Sequence, residues 1–132
     1  MKSELKTILY CRVAHTDDEA IASQERRLRD YANEHGYKNI SVYADNGFNG
    51  IDFNRPAFSQ MVNDIQAGIV GTIVVANISR ISRNMSVYAW LNQIRQAGIL
   101  FISVADGIDS SQTNNIYDEA LRLFEAHIAI AK

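Results

Sequence analysis

Three arginines stand where a strand ends and a loop begins, and such positions suit anion chemistry. Arg12 lies near the carboxyl end of an apolar, β-branched run at 5–13, and Arg80 and Arg83 directly follow another apolar run at 72–77. Burying an unpaired guanidinium is costly, whereas a guanidinium facing phosphate makes forked, permanently charged hydrogen bonds. The three side chains therefore indicate an oxyanion site. For Arg12, the alternative is an edge arginine paired with a nearby carboxylate such as Asp45.

These arginines can converge only if the runs that precede them are neighbouring strands of one sheet. Four apolar runs alternate with four helical patterns, which predicts right-handed βαβ crossovers and an α/β fold. We expect a mostly parallel sheet of four or five strands flanked by helices, with ligands bound beyond the carboxyl ends of the strands. The strands are predicted at 5–13, 40–44, 72–77 and 99–104, the helices at 19–35, 56–68, 86–97 and 114–131, and the site loops at 14–18, 45–55 and 78–84.

Size and composition predict one globular domain over residues 1–132, with 47% hydrophobic and 21% charged residues. The single cysteine, Cys11, is expected to be a buried, inert thiol rather than a reactive one. No Cys/His spacing suits zinc, so no metal and no cofactor are predicted. No apolar run approaches the roughly 20 residues that span a bilayer and no signal peptide is evident, so we expect a cytoplasmic protein without a membrane partner.

The net charge of −2 bears on the kind of partner. Autonomous DNA-binding domains are usually basic, because neutralising phosphates supplies most of their affinity. The chain also has no basic recognition helix. We therefore expect no separate DNA-binding domain within this chain, and weak binding to DNA by the chain alone.

In order and spacing, several motifs resemble those of the N-terminal catalytic domain of serine recombinases, the resolvase/invertase family. The resemblance implies the resolvase fold, a long C-terminal helix and DNA as substrate. It also implies a catalytic site of arginines around a nucleophile position, with further groups that contact phosphate or DNA. The matching motifs are Tyr10-Cys11-Arg12-Val13, Gln24 in the first helix, Asp45…Gly50…Arg55-Pro56, and Arg80-Ile81-Ser82-Arg83.

By this resemblance, each matching residue receives an expected role. Two of these residues also have plain structural alternatives: Arg55 could be a solvated residue near a helix N-terminus, and Gln24 a helix-surface amide. In the family, a serine oxygen attacks the DNA phosphate and displaces a 3′-hydroxyl without metal or ATP, and a fixed arginine cluster offsets the spreading negative charge. The catalytic positions are Arg12, Ala14, Arg55, Arg80 and Arg83, and the phosphate- or DNA-binding positions are Tyr10, Gln24 and Asn49.

The chain departs from the family at the nucleophile itself, since Ala14 stands where the serine is expected. Another hydroxyl, from Thr16, Ser23 or Ser79, would have to take its place, or His15 would have to act. A misplacement of only ~1 Å can cost a hundredfold in rate. We therefore predict that the chain as written does not cleave DNA, which leaves its standing as an enzyme open.

Three functions follow from these observations. The first is the catalytic domain of a recombinase from a mobile element, acting in DNA recombination, inversion or integration. The second is a pseudo-recombinase that serves as a dimerising or regulatory module. The third is a small phosphate- or nucleotide-binding protein, which the lack of a glycine-rich phosphate loop after the first strand disfavours. An apolar stripe along 114–131 favours a homodimer, possibly a tetramer, with packing against its own domain as the alternative.

Overall fold

A five-stranded sheet with helices on both faces forms the described part of the molecule, which in this computed structural model comprises residues 5–50, 54–83 and 86–111. The strand order is β2-β1-β3-β4-β5, and every neighbouring pair is parallel except β4 and β5. The strands are β1 (Lys6–Val13), β2 (Ile40–Asn46), β3 (Val70–Val75), β4 (Leu100–Ser103) and β5 (Ile108–Asp109). The helices are α1 (Asp18–Glu34), α2 (Pro56–Gln66) and α3 (Ser86–Gln96), and a 3₁₀ turn spans Ile78–Arg80.

The two faces of β1 each contribute to a separate core, because successive side chains of a strand point to opposite sides. On one face, Leu9 and Cys11 pack with Leu28 of α1. On the other face, Ile8 belongs to a larger core that includes Phe58 of α2. Burial raises the pKa of the Cys11 thiol to about 12, so the prediction of a buried cysteine is confirmed and the thiol stays protonated at neutral pH.

Local signals explain where α1 begins and ends. The Asp17 side chain accepts a hydrogen bond from the Ala20 amide at 3.0 Å, which satisfies one of the free N–H groups of the first turn. Asp18 and Glu19 add negative charge at the positive end of the helix dipole. Gly36 follows the C-cap with a φ of +74°, a conformation that glycine adopts without strain. The helix therefore begins and ends within one residue of the predicted bounds of 19–35.

The predicted α/β architecture is confirmed, with differences at the ends of strands. Strand β2 continues to Asn46, past the predicted end at 44, because Asp45 and Asn46 pair with Arg12 and Val13 of β1. Two elements were not placed by the sequence: the short strand β5 and the 3₁₀ turn inside the predicted loop 78–84. Within the described ranges no helix is long and apolar enough to cross a membrane. The predicted helix at 114–131 lies outside the described residues.

Candidate functional site

The carboxyl edge of the sheet collects the loops that follow β1, β2 and β3. The structure brings all four predicted arginines to this edge. They differ in burial there, because two are fully buried against backbone carbonyls and two are half-buried or exposed. The four are Arg12, Arg55, Arg80 and Arg83.

Arg12 is fully buried and its guanidinium joins two loops. Nε donates to the Arg80 carbonyl at 2.9 Å, Nη1 to the Phe48 carbonyl at 2.9 Å, and Nη2 to the Ser79 carbonyl at 2.6 Å. Burial, followed by the charge of Arg55, lowers the pKa of Arg12. The alternative that pairs Arg12 with Asp45 is wrong, since carbonyl oxygens rather than a carboxylate satisfy the guanidinium.

Arg55, at the N-cap of α2, is also buried, with 1% of its surface exposed. Its Nη1 donates to the Tyr10 hydroxyl and to the Arg80 carbonyl, each at 3.0 Å, and its Nη2 donates to the Ile81 carbonyl. The guanidinium carbon lies 4.6 Å from the centroid of the Phe58 ring, within the range of a cation–π contact. The alternative of a solvated arginine at this position is wrong.

One carboxylate, that of Asp45, lies within this network. It accepts a hydrogen bond from the Tyr10 hydroxyl at 2.6 Å and from the amides of Ala57 and Phe58 at 2.9 and 3.0 Å. The two amides belong to the first turn of α2, so Asp45 caps that helix in place of the N-cap side chain. Burial and the hydrogen bond to Asp45 raise the pKa of Tyr10. The tyrosine is therefore a neutral, buried link between strand and helix.

Gln24 holds the backbone of Arg12 from the opposite face of β1. Its Oε1 accepts from the Arg12 amide at 3.2 Å and its Nε2 donates to the Arg12 carbonyl at 2.9 Å. The same carbonyl accepts from Nη1 of Arg80 at 2.9 Å. The alternative of a helix-surface amide is wrong, because Gln24 is buried. Gln24 and Arg80 thus meet on one carbonyl, two residues before the expected nucleophile position.

Arg80 and Arg83 are more accessible than the other two arginines of the cluster. Arg80 is half-buried, and its Nε is buried without a hydrogen-bond partner in the described part of the chain. Burial is the main reason why the pKa of Arg80 is lowered, and the charge of Arg83 adds to it. Arg83 is exposed, and its guanidinium makes no hydrogen bond to any residue that the structure describes. These two side chains are the cations that an incoming anion can reach.

The loop after β2 packs directly on the arginine loop at Gly50. The Gly50 carbonyl accepts from the Arg83 amide at 2.7 Å and from the Ser82 hydroxyl at 3.1 Å. A Cβ at this position would lie 2.6 Å from Nη2 of Arg12, so space alone requires glycine. Asn49, next to it, is exposed and lines a cavity of about 190 Å³ together with Arg55 and others.

Asp106, in the turn between β4 and β5, is a positioning residue that the sequence reasoning missed. Its Oδ2 accepts from the amide of Ile78, the first residue of the 3₁₀ turn, at 2.9 Å and from the Ser103 hydroxyl at 2.6 Å. That turn carries Arg80 and supplies the carbonyls that bind Arg12. An Asp-Gly pair after a predicted strand was the available signal, since aspartate readily caps backbone amides in turns.

The structure also shows the surroundings of the nucleophile position. Ala14 is half-buried directly after β1, and His15 and Thr16 are exposed beside it. The Ser79 hydroxyl donates to the Asn77 side chain, and His15 makes no hydrogen bond to a described residue. No described side chain orients His15 as a base or nucleophile. Within the described ranges, no group of three or more His, Cys, Asp or Glu residues could hold a metal ion.

A mostly parallel α/β sheet with clustered arginines at its carboxyl edge defines the class of protein: an α/β domain whose arginine cluster is built by the loops after its first three strands. The family model described as "Resolvase, N terminal domain" matches residues 7–128. The chain therefore belongs to the resolvase family, and the resemblance found in its motifs is confirmed.

Two solved structures and one curated protein are similar to this chain. The N-terminal catalytic domain of TP901-1 integrase is 28% identical, with a TM-score of 0.83 and 96% of each chain covered. A resolvase family site-specific recombinase from Streptococcus pneumoniae is also 28% identical, with a TM-score of 0.72, covering 96% of this chain and 92% of that one. A Bacillus subtilis (strain 168) protein named as a DNA recombinase is 29% identical over 79 residues, which are 58% of this chain and 16% of that protein. The match thus spans a small part of the longer relative.

Proposed function

We propose that this domain binds a DNA phosphodiester at its arginine cluster, as the catalytic-type domain of a site-specific serine recombinase. One observation carries the proposal: four arginines converge at one edge of the sheet, where the carboxylate in their network, Asp45, is held by Tyr10 and by helix α2. Among the described residues, this one carboxylate does not balance the four positive charges of the cluster. A phosphodiester supplies the missing negative charge, and guanidinium groups match its oxygens in geometry.

Within this proposal the four arginines divide into two pairs. Arg80 and Arg83 contact the non-bridging oxygens of the phosphate, because they are the two arginines of the cluster that solvent reaches. Arg12 and Arg55 hold the carbonyls of the 3₁₀ turn and contribute their charge through a poorly solvated interior. Charge fixed in advance around the phosphate is the usual source of electrostatic stabilisation in phosphoryl transfer.

The three polar residues that the sequence predicts to contact phosphate or DNA have different roles in this proposal. Tyr10 and Gln24 are buried and bonded to the site's own groups, so we assign them to positioning. Asn49 is exposed on the loop after β2, where its amide can donate to a backbone phosphate. Such contacts position a protein on DNA without reading its sequence.

The alanine at position 14 means that the chain binds without forming a covalent bond by the family's route. The test restores the hydroxyl with Ala14→Ser in the chain fused to a DNA-binding domain of known site. On supercoiled DNA carrying that site, the oxygen of the restored serine would form a bond to phosphorus while the bond from phosphorus to the 3′-oxygen breaks, and a proton ends on that 3′-oxygen. We expect a protein–DNA adduct that survives denaturant.

Two matched fusions make this experiment decisive. The fusion that keeps Ala14 supplies the background, and Ala14→Ser combined with Arg80→Gln should lose the adduct if the cluster stabilises the reacting phosphate. The proposal fails if the restored serine yields no adduct while both fusions bind the site equally well. In the absence of the serine, Arg80→Glu and Arg83→Glu should remove any affinity of the chain for phosphate or sulfate.

Ala14 also favours a second candidate, a pseudo-recombinase that assembles with active partners. This function requires a dimer or tetramer, which we propose to form through 114–131, a segment outside the described residues. Light scattering of the chain at high concentration, and mixing with an active family member, test it. A monomer that leaves the active member's rate unchanged would exclude this candidate. Location in the cytoplasm stays a prediction.

A further inference from the structure

We propose that Arg27 of α1 binds a second phosphate of the DNA backbone, next to the phosphate held by Arg80 and Arg83. This inference rests on the proposed function, and it extends the interface from the strand ends onto the flank of a helix. The sequence motifs do not include Arg27. It is one of three arginines on the charged surface of α1.

The helix geometry places Arg27 on the flank that faces the arginine loop. The buried face of α1 carries Gln24, Leu28 and Ala32, and Arg27 is exposed at the edge of that face. Tyr31, one turn further on, shares its flank because residues four apart are neighbours on a helix. Tyr31 packs against the core cluster to which β3 and β4 contribute, and the charge of Asp109 of β5 acts on it, so this flank lies over the face of the sheet that β3 and β4 share.

The arginine loop leaves β3 on this same side. Nη1 of Arg80 reaches the Arg12 carbonyl, which Gln24 of α1 also binds, so the Arg80 side chain lies beside α1. Arg27 is one turn beyond Gln24 along the helix. Burial is the largest cause of the lowered pKa of Arg80, and the positive charges of Arg83 and Arg27 both add to it. Three like charges are therefore close enough to repel one another.

The charge of Arg27 is not paired with a carboxylate of the described residues. On α1 the ion pair is between Arg29 and Glu25, at 2.8 Å, and within the described ranges no carboxylate lies at ion-pair distance from Arg27. At the same edge, Asp17 caps α1 and Asp106 holds the 3₁₀ turn. Like charges without a counterion favour an anion from outside. DNA offers a continuous row of them, so a cation beside one bound phosphate meets the next.

The test compares Arg27→Gln with Arg26→Gln in the full chain. Both arginines are exposed on α1, both variants lose the same charge, and Arg26 lies about 100° further round the helix. The probe is a duplex of about 20 base pairs, with affinity measured by fluorescence anisotropy over a series of salt concentrations. We expect Arg27→Gln to weaken binding about tenfold at low salt and to reduce the salt slope by about one, with a much smaller change for Arg26→Gln.

The outcomes separate this inference from the proposed function. Equal losses in Arg27→Gln and Arg26→Gln would overturn the inference, because they would show a general effect of net charge. If Arg80→Gln then still weakens binding, the proposed function stands without it. A chain that does not bind the duplex at low salt, or whose binding is insensitive to Arg80 and Arg83, overturns both. Urea unfolding of each variant confirms that the comparison is between folded proteins.

Discussion

The cations at the two edges of the sheet have different partners. At the amino edge, Lys6 donates to the Tyr43 hydroxyl at 3.0 Å and to Asp64 Oδ2 at 3.3 Å. Asp64 also accepts from Tyr43 and, at 3.1 Å, from Gln60. One cation thus meets one carboxylate in a closed set of hydrogen bonds. At the carboxyl edge, four arginines gather around one buried carboxylate, that of Asp45, and backbone carbonyls accept hydrogen bonds from the two most buried of them.

This difference distinguishes a charge cluster that stabilises the fold from one that we propose to bind a ligand. The Lys6–Asp64 pair is complete, so a ligand would have to break it. Carbonyl dipoles offset the desolvation of Arg12 and Arg55 but not their net charge, so the arginine cluster keeps an excess of positive charge over the carboxylate that the described residues place within it. A phosphate can add to this edge without displacing an internal partner. The comparison predicts that variants at the carboxyl edge affect both stability and anion binding, whereas variants at the amino edge affect stability alone.

The largest effect is expected for Arg12→Ala. The substitution removes the buried donor of the Phe48 and Ser79 carbonyls, whereas the Arg80 carbonyl keeps its hydrogen bond from Arg55. We expect a cost of about 3 kcal/mol in the free energy of unfolding, partly offset by weaker repulsion among the other arginines. Urea denaturation measures it. Arg83→Ala is the matched control, since an exposed side chain should change stability by less than about 0.5 kcal/mol. Similar losses in the two variants would contradict the division into buried and available arginines.

Gly50→Ala should have the next largest effect. The new methyl group would lie 2.6 Å from Nη2 of Arg12 and 3.3 Å from Cγ of Arg83, so one loop must move. Overpacking of this kind costs about 1–3 kcal/mol, and we expect weaker phosphate binding as the loops separate. Gly68→Ala offers a contrast: a Cβ there meets nothing within 4 Å, and its cost comes from a φ of +74°. Gly68→Ala should leave anion affinity unchanged, and a parallel loss in both variants would argue against a role of loop contact in binding.

Asp106→Ala should cost about 1 kcal/mol, as for other lost backbone caps. It should also lower anion affinity, because the 3₁₀ turn that carries Arg80 loses its hydrogen bond at the Ile78 amide. Asp106→Asn keeps an oxygen acceptor at the same position and should restore most of both properties. Isothermal titration with sulfate and urea denaturation measure the two properties. Loss of stability without loss of affinity would show that the cap supports the fold but not the site.

The smallest effect is expected at the amino edge, as a pH dependence. The hydrogen bond from Tyr43, with those from Gln60 and Lys6, lowers the pKa of Asp64. Its contribution to stability is therefore complete above the unfolded-state pKa near about 4 and is lost as the pH falls through the lower folded-state value. Asp64→Asn should lose less stability than the parent chain as the pH is lowered from about 5. Anion binding at neutral pH should not change, and a change would break the comparison between the two edges.

Much of the fold was predictable because its signals are local. The apolar runs before Arg12 and Arg80 form buried parallel strands, and their carboxyl ends meet at one edge as expected. The short strand β5 was not placed, since its two residues are set by pairing with Ile102 and Ser103 rather than by a pattern of their own. Strand pairing likewise carries β2 past its predicted end.

Spacing and resemblance could also identify the residue types of the site. They could not identify which groups each side chain binds. Arginine, glutamine and tyrosine in these motifs indicated a phosphate site, and the missing hydroxyl at Ala14 is visible in the sequence alone. The acceptors of Arg12 lie 36, 67 and 68 residues away along the chain. Only the packed loops bring those carbonyls to one guanidinium. The sequence by itself determined the family and the sheet, and it places alanine where the family's serine is expected, because local patterns encode these features. Tertiary structure decided which arginines are buried and which stay accessible, because partners distant in sequence surround the buried ones.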